Sequence, residues 1–296
     1  MKTIVILIAS ICYFVSCSSE GFDKNFKNKK ISGARFAPEN DLYKQDIFFL
    51  DEEKQYSSTG ITEYEFNEVL DAIEEIYTPI FRNFGANLVL ERNWRDSTVN
   101  AYASQSGKSW KVAFFGGLAR RPEITKEGFA LVACHEIGHH LGGYPFYDDS
   151  RWASDEGNSD FYSTAACARM IFGESSPCSF MQDDYARRAE MYECSFNYQN
   201  QSQEDLTVCQ RSLAGGLSLG KLLAKLGNDR EPSYSTPDRT VVSRTQHSHP
   251  KAQCRLDTYK AGAVCKSEWN NYVMPRNLQE MRNNSCAERP ACWFKS

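Results

Sequence analysis

The chain has 296 residues, 41% hydrophobic and 24% charged, which is enough for one large core or two closely packed lobes. Its formal net charge of −4 gives no electrostatic case for nucleic acid as a partner. A local basic run, Lys24, Lys27, Lys29 and Lys30, lies in a polar stretch and reads as a solvated tether.

Lys2 precedes an apolar run from Thr3 to Ser16 that is too short for a membrane span and right for a secretory h-region, so residues 1–16 read as a signal peptide and the protein as exported. Phe14-Val15-Ser16-Cys17 resembles a bacterial lipobox, which implies a lipid on Cys17 and attachment to an envelope membrane; with Phe at its first position, ordinary cleavage nearby is the alternative. Residues 17–40 then form a polar tether and 41–296 the functional domain. After the leader nothing is apolar for long enough to cross a bilayer.

Ile47 to Leu50 is a short strand candidate. Thr62 and Glu65 form a capping box, with Ile61 and Phe66 as a hydrophobic staple, for a helix to about Arg82. Strands are expected at Leu88–Leu90, Val99–Ala103 and Trp110–Phe115, with turns at Asn93–Asp96 and Ser106-Gly107. The last of these, ending at Gly116-Gly117, is expected to be the sheet edge beside a cleft, where a peptide adds as a further strand. Thr125 caps the next helix, stapled by Ile124 and Phe129, packed through Val132, Ala133, Ile137 and Leu141, and stopped by Gly142-Gly143 and Pro145. Further helices are expected from Glu156 to about Phe172, then Asp183–Cys194, Leu206–Leu226 and Pro250–Cys265, with Gly215-Gly216 marking close packing or a break. Asn228–Gln246 reads as a polar loop lying over the cleft and delivering His249. The fold class expected is α+β and mainly helical, with a small sheet whose edge strand lies beside an active-site helix.

The chemistry is carried by His135-Glu136-Ile137-Gly138-His139. On a helix, residues i and i+4 share a face, so the two imidazoles can grip one Zn²⁺ while Glu136 reaches a metal-bound water. Proline cannot ligate, and Pro145 stands where one class of such enzymes places its third ligand. The acids that follow are Asp148, Asp149, Asp155, Glu156 and Asp160, and the last two are spaced i, i+4.

This pairing resembles the gluzincin arrangement, which implies Glu156 as third ligand and Asp160 as the carboxylate that orients a ligating histidine, here His135. Ser248-His249-Pro250 followed by Arg255-Leu256 is similar to the late His-Pro…Arg-Ile element of the metallopeptidases that include HtpX, BepA and the CAAX prenyl proteases. Thr98-Val99-Asn100-Ala101-Tyr102-Ala103 is similar to the strand preceding their metal helix. These elements run in the family's order from about Leu88 to Cys265, and the lack of membrane spans points to its soluble, periplasmic branch. The many cysteines and Ser248, where the family has Thr, are departures, so substrate preferences do not carry over.

The resemblance implies a zinc endopeptidase with one Zn²⁺ per chain and protein or peptide substrates. Glu136 is the general base, and His249 or Arg255 stabilises the developing oxyanion. It also implies a second role for His249, as a latch at the water position. His140 and His247 receive no role. The competing functions are hydrolysis of another amide, such as peptidoglycan, and a proteolytically silent chaperone-like module.

Eleven cysteines in an exported chain argue for disulfides. Nine follow Cys12 and Cys17, namely Cys134, Cys167, Cys178, Cys194, Cys209, Cys254, Cys265, Cys286 and Cys292. An odd number leaves one over. Cys134, beside His135, is the first choice for a free thiol, with a bridge bracing the site as the alternative.

Overall fold

The first long helix, α1 (Glu63–Asn83), begins where a complete capping box closes: Thr62 Oγ1 accepts from Glu65 N at 3.2 Å while Thr62 N donates to Glu65 Oε2 at 2.8 Å. Its buried residues Phe66, Val69, Leu70, Ile73, Tyr77 and Phe81 follow helical spacing and face the core, with Ile61 buried in the same cluster. The computed structural model describes residues 33–42, 60–147, 152–174, 176, 189–198, 202–265, 275–283, 286 and 288–296. The leader, Cys12, Cys17, Cys178, the strand candidate at 47–50 and the acids Asp148 and Asp149 lie outside these residues.

Among the described residues four strands follow the order β1-β3-β4-β2: β1 (Ala34–Arg35), β2 (Asn87–Asn93), β3 (Ala101–Ser106) and β4 (Ser109–Phe115). β3 and β4 form an antiparallel hairpin closed by two residues, with Gly107 at φ 56° supplying the left-handed conformation that such a turn needs. β2 pairs in parallel with β4. Two expectations are corrected here. β4 is not an edge, because β2 occupies the side that would have been open, and its buried run Val112, Ala113, Phe114 is that of an internal strand. The tether expected to reach residue 40 gives way earlier: Ala34 and Arg35 pair antiparallel with β3, and Phe36 and Ala37 are fully buried. The edge strand beside the central helix is therefore β1.

After a single turn, α2 (Gly116–Ala119), comes α3 (Lys126–Leu141), capped by Thr125, whose side chain accepts from Gly128 N at 3.1 Å. Every residue from Gly128 to Leu141 is buried, so α3 is a central helix and its polar residues must find partners inside the protein. It is packed by α1, the sheet, the helices that follow it and α7 (Gln203–Gly227). Gly215 in α7 sits where a Cβ would come within 2.9 Å of Glu127 O, so the Gly215-Gly216 pair serves close packing and the helix runs through it.

Gly143, at φ 78°, turns the chain out of α3. The segment at Glu156–Phe172 is α4 (Glu156–Tyr162), a π-helical turn (Ser163–Cys167) and α5 (Ala168–Phe172) in succession. Then come α6 (Ala189–Asn197), α7, α8 (Ala252–Ala263) and α9 (Leu278–Arg282). Residues 228–251 carry no helix or strand, and Val242 N and Gln246 N donate to Ala291 O and Trp293 O, which fastens this loop to the C-terminal segment. Among the described residues no helix is long and apolar enough to cross a membrane.

Among the described residues four disulfides join Cys134–Cys167, Cys194–Cys209, Cys254–Cys292 and Cys265–Cys286. The first corrects the free-thiol expectation for Cys134: the π-helical turn carries Cys167 to 5.5 Å from it between Cα atoms, within bridging range, and ties α3 to the segment after α4.

Candidate metal centre

His135 and His139 lie one turn apart on α3, their rings edge-to-face with centroids 4.7 Å apart. Each has its Nδ1 engaged away from the partner ring: His135 Nδ1 donates to Asp160 Oδ1 at 2.8 Å, and His139 Nδ1 lies 2.7 Å from Ser154 O and 3.0 Å from Ser159 Oγ. A proton on each Nδ1 leaves both Nε2 lone pairs free, the state that a metal-binding imidazole needs. Both Nε2 atoms are buried without a hydrogen-bond partner.

Glu156 opens α4, whose N-cap Asp155 accepts from Asn158 N at 2.9 Å, and this cap fixes how the helix enters the site. Its Oε2 is 3.2 Å from His135 Nε2 and its Oε1 3.8 Å from His139 Nε2. Ligand atoms about 2.0–2.1 Å from a tetrahedral ion stand roughly 3.3 Å apart, so these separations suit one shared ion better than hydrogen bonds, and neither Glu156 oxygen has a hydrogen-bond partner. His135, Glu136 and His139 form a group that could hold a metal ion. Glu156 stands at ligand separations from both imidazoles. Glu136 is rotated about 100° from His135 around the helix, and both of its oxygens are buried and unpartnered.

The electrostatics of these groups suit a bound cation. Burial alone would lower the His135 pKa, but the Asp160 and Glu156 carboxylates raise it to about 9. Burial, with His135 alongside, takes His139 down to about 3. Burial also opposes the charge on Glu156, yet His249, His139 and His135 hold its carboxyl far below the usual range. Glu136 is pushed well up, chiefly by burial and further by Glu156. Two unpartnered carboxylates and two unpartnered imidazole nitrogens in one buried space are costly unless a cation binds there.

Asp160 is the hub behind His135. It accepts from His135, from Arg255 Nε at 2.6 Å and Nη2 at 2.7 Å, and from Tyr259 OH at 2.7 Å. The Arg255 guanidinium, expected at a developing oxyanion, is bonded to Asp160 behind His135. α8 packs on α4, and the buried Asp160 charge requires a cation there; Arg255 Nη1 also donates to Phe36 O at 2.6 Å. Tyr259, Ser154 and Ser159 were not anticipated. For Tyr259 the available signal was its i, i+4 spacing from Arg255.

His249 Nε2 donates to Arg35 O at 2.8 Å and stands 3.5 Å from Glu156 Oε1, so the loop does carry it to the site. His247 Nδ1 is 3.5 Å from Asp155 Oδ2. His140 points to the other side of α3, stacked between Trp110 (5.4 Å) and Trp152 (5.3 Å), with Nε2 donating to Lys111 O and Nδ1 accepting from Gln105. Burial lowers its pKa to about 4, so it is neutral and structural. His140→Ala should cost about 2–4 kcal/mol in denaturant unfolding while metal stoichiometry stays unchanged.

Compared with known proteins, the chain matches no family model, no curated protein and no solved structure. Glu156→Ala should weaken metal binding by more than about 100-fold in a chelator competition. Wild-type affinity in that variant would remove Glu156 from the ligand set.

Proposed function

We propose that the chain is a zinc-dependent endopeptidase of the gluzincin type, related to the HtpX, BepA and CAAX protease group and exported to the bacterial cell envelope, with attachment through Cys17. The observation that carries the reading is the convergence of the unpartnered His135 Nε2, His139 Nε2 and Glu156 oxygens beside an unpartnered Glu136. Two imidazoles and one carboxylate leaving a position open match the donor set of catalytic zinc. The four disulfides agree with an oxidising compartment.

Bound zinc would supply a Lewis acid that acidifies a water molecule and polarises the scissile carbonyl. Glu136, its pKa raised by burial, accepts the proton of the attacking water and returns one to the leaving amine. Asp160, held by Arg255 and Tyr259, keeps the His135 ring in place throughout.

The test is incubation of the zinc-loaded full chain with an unfolded protein and, separately, with peptidoglycan, followed by mass spectrometry of the products. New peptide N-termini that vanish with chelator support the proposal. Muropeptide cleavage alone would move the function to another amide, and binding without any cleavage would leave a chaperone-like module.

A further inference from the structure

The sheet edge beside α3 is filled by the chain's own residues 33–37, and they are held in an unusual way. Only Ala34 and Arg35 join the ladder, opposite Ala103 and Tyr102. Phe36 N then donates to Ala101 O at 3.1 Å. Four further backbone groups of this segment are taken by the side chains of His249, Arg255 and Asn100. His249 Nε2 donates to Arg35 O at 2.8 Å, and Arg255 Nη1 donates to Phe36 O at 2.6 Å. Asn100 brackets Ala37, accepting from its N–H at 3.1 Å and donating to its carbonyl at 2.9 Å. Gly33, at φ 140°, brings the backbone closer to Ala103 O than any Cβ would permit.

The segment also lies against the metal centre. The Phe36 ring stands edge-on to His135, with centroids 5.3 Å apart, and the Arg255 guanidinium lies over it at 4.7 Å. His135, Glu136, His139 and Glu156 are all 0% exposed, so an extended substrate reaches them only after something moves. Main-chain hydrogen bonds along a sheet edge, with enclosed places for individual side chains, are how proteins bind an extended peptide.

Resting on the peptidase reading of this site, we propose that the β3 edge together with Asn100, His249 and Arg255 is a groove for an extended polypeptide, and that residues 33–37 occupy it in cis as a tethered competitor. The polypeptide it accepts places a bulky aromatic residue, as Phe36 does, against His135 and Arg255, and a small one, as Ala37 does, beside Asn100. His249 serves as a backbone clamp on this strand, and the occupied groove keeps the centre closed.

The test uses the full chain with a site-specific protease sequence inserted between Leu42 and Gly60, loaded with zinc. The probe is a fluorescent peptide of the sequence Gly-Ala-Arg-Phe-Ala-Pro. Because occupancy lowers apparent affinity by the fraction of open sites, cutting should tighten peptide binding by at least about tenfold in anisotropy titrations. Removing the cut N-terminal fragment should speed zinc extraction by a chelator while the circular dichroism of the remainder is kept. Unchanged peptide affinity after cutting overturns the proposal, as does unfolding of the remainder once the fragment leaves, which would make 33–37 an obligatory strand. A chain that takes up no zinc yet binds the peptide after cutting keeps the groove and sinks the peptidase reading alone.

Discussion

Glu136→Gln should keep the metal and lose about 10²–10⁴-fold of any hydrolysis, the usual range for removal of a general base. The amide has the shape of the carboxylate, and the space around Glu136 is fully enclosed, so packing should survive the exchange. No hydrogen bond is broken either, since neither Glu136 oxygen has one. What is lost is the ability to accept a proton. Burial and the neighbouring Glu156 make the Glu136 carboxylate costly in the metal-free protein, so the neutral amide should leave metal-free stability equal or higher. Metal content, thermal midpoint and turnover, measured on one preparation, separate these effects. Loss of metal from the variant would make Glu136 a ligand in place of Glu156, whereas full turnover in the loaded variant would remove it as the base.

The parts of this fold that were legible in the sequence are those set by neighbours along the chain. Thr62 with Glu65, and Thr125 with Gly128, bond side chain to backbone within one turn, so the residue types alone announce them. The i, i+4 spacings of His135 with His139 and of Glu156 with Asp160 likewise place each pair on one helix face. What the sequence concealed depends on long-range partners. β1 has two residues and no periodicity to detect, and its neighbours Phe36 and Ala37 are held by Arg255 and Asn100, 219 and 63 positions away. β4 reads as an edge because its parallel partner arrives by a crossover that leaves no turn signature, although the apolar run Val112–Phe115 is that of an internal strand. The Cys134–Cys167 pairing depends on the π-helical turn, and such an insertion is not coded by local propensity.

Arg255→Ala should destabilise the chain by about 3–5 kcal/mol and weaken zinc binding by about 10–100-fold, because it leaves the Asp160 carboxylate buried without its counter-charge and releases the ring it orients. The side chain is wholly buried and gives Asp160 two bonds, at 2.6 and 2.7 Å, and the Phe36 carbonyl a third. A lysine offers one compact charge and cannot reproduce that fork, so Arg255→Lys should recover only part of the loss. Asp160→Asn should weaken zinc binding by a similar factor through the same ring. Since both residues act through one network, the double variant Arg255→Ala/Asp160→Asn should fall short of the sum of the single losses in stability by about 0.5–3 kcal/mol. Chemical unfolding without metal, combined with chelator competition for zinc, gives both quantities for all four variants. An oxyanion role predicts the opposite pattern for Arg255→Ala, with stability and zinc affinity intact and only turnover reduced, and that result would overturn the positioning role assigned to Arg255.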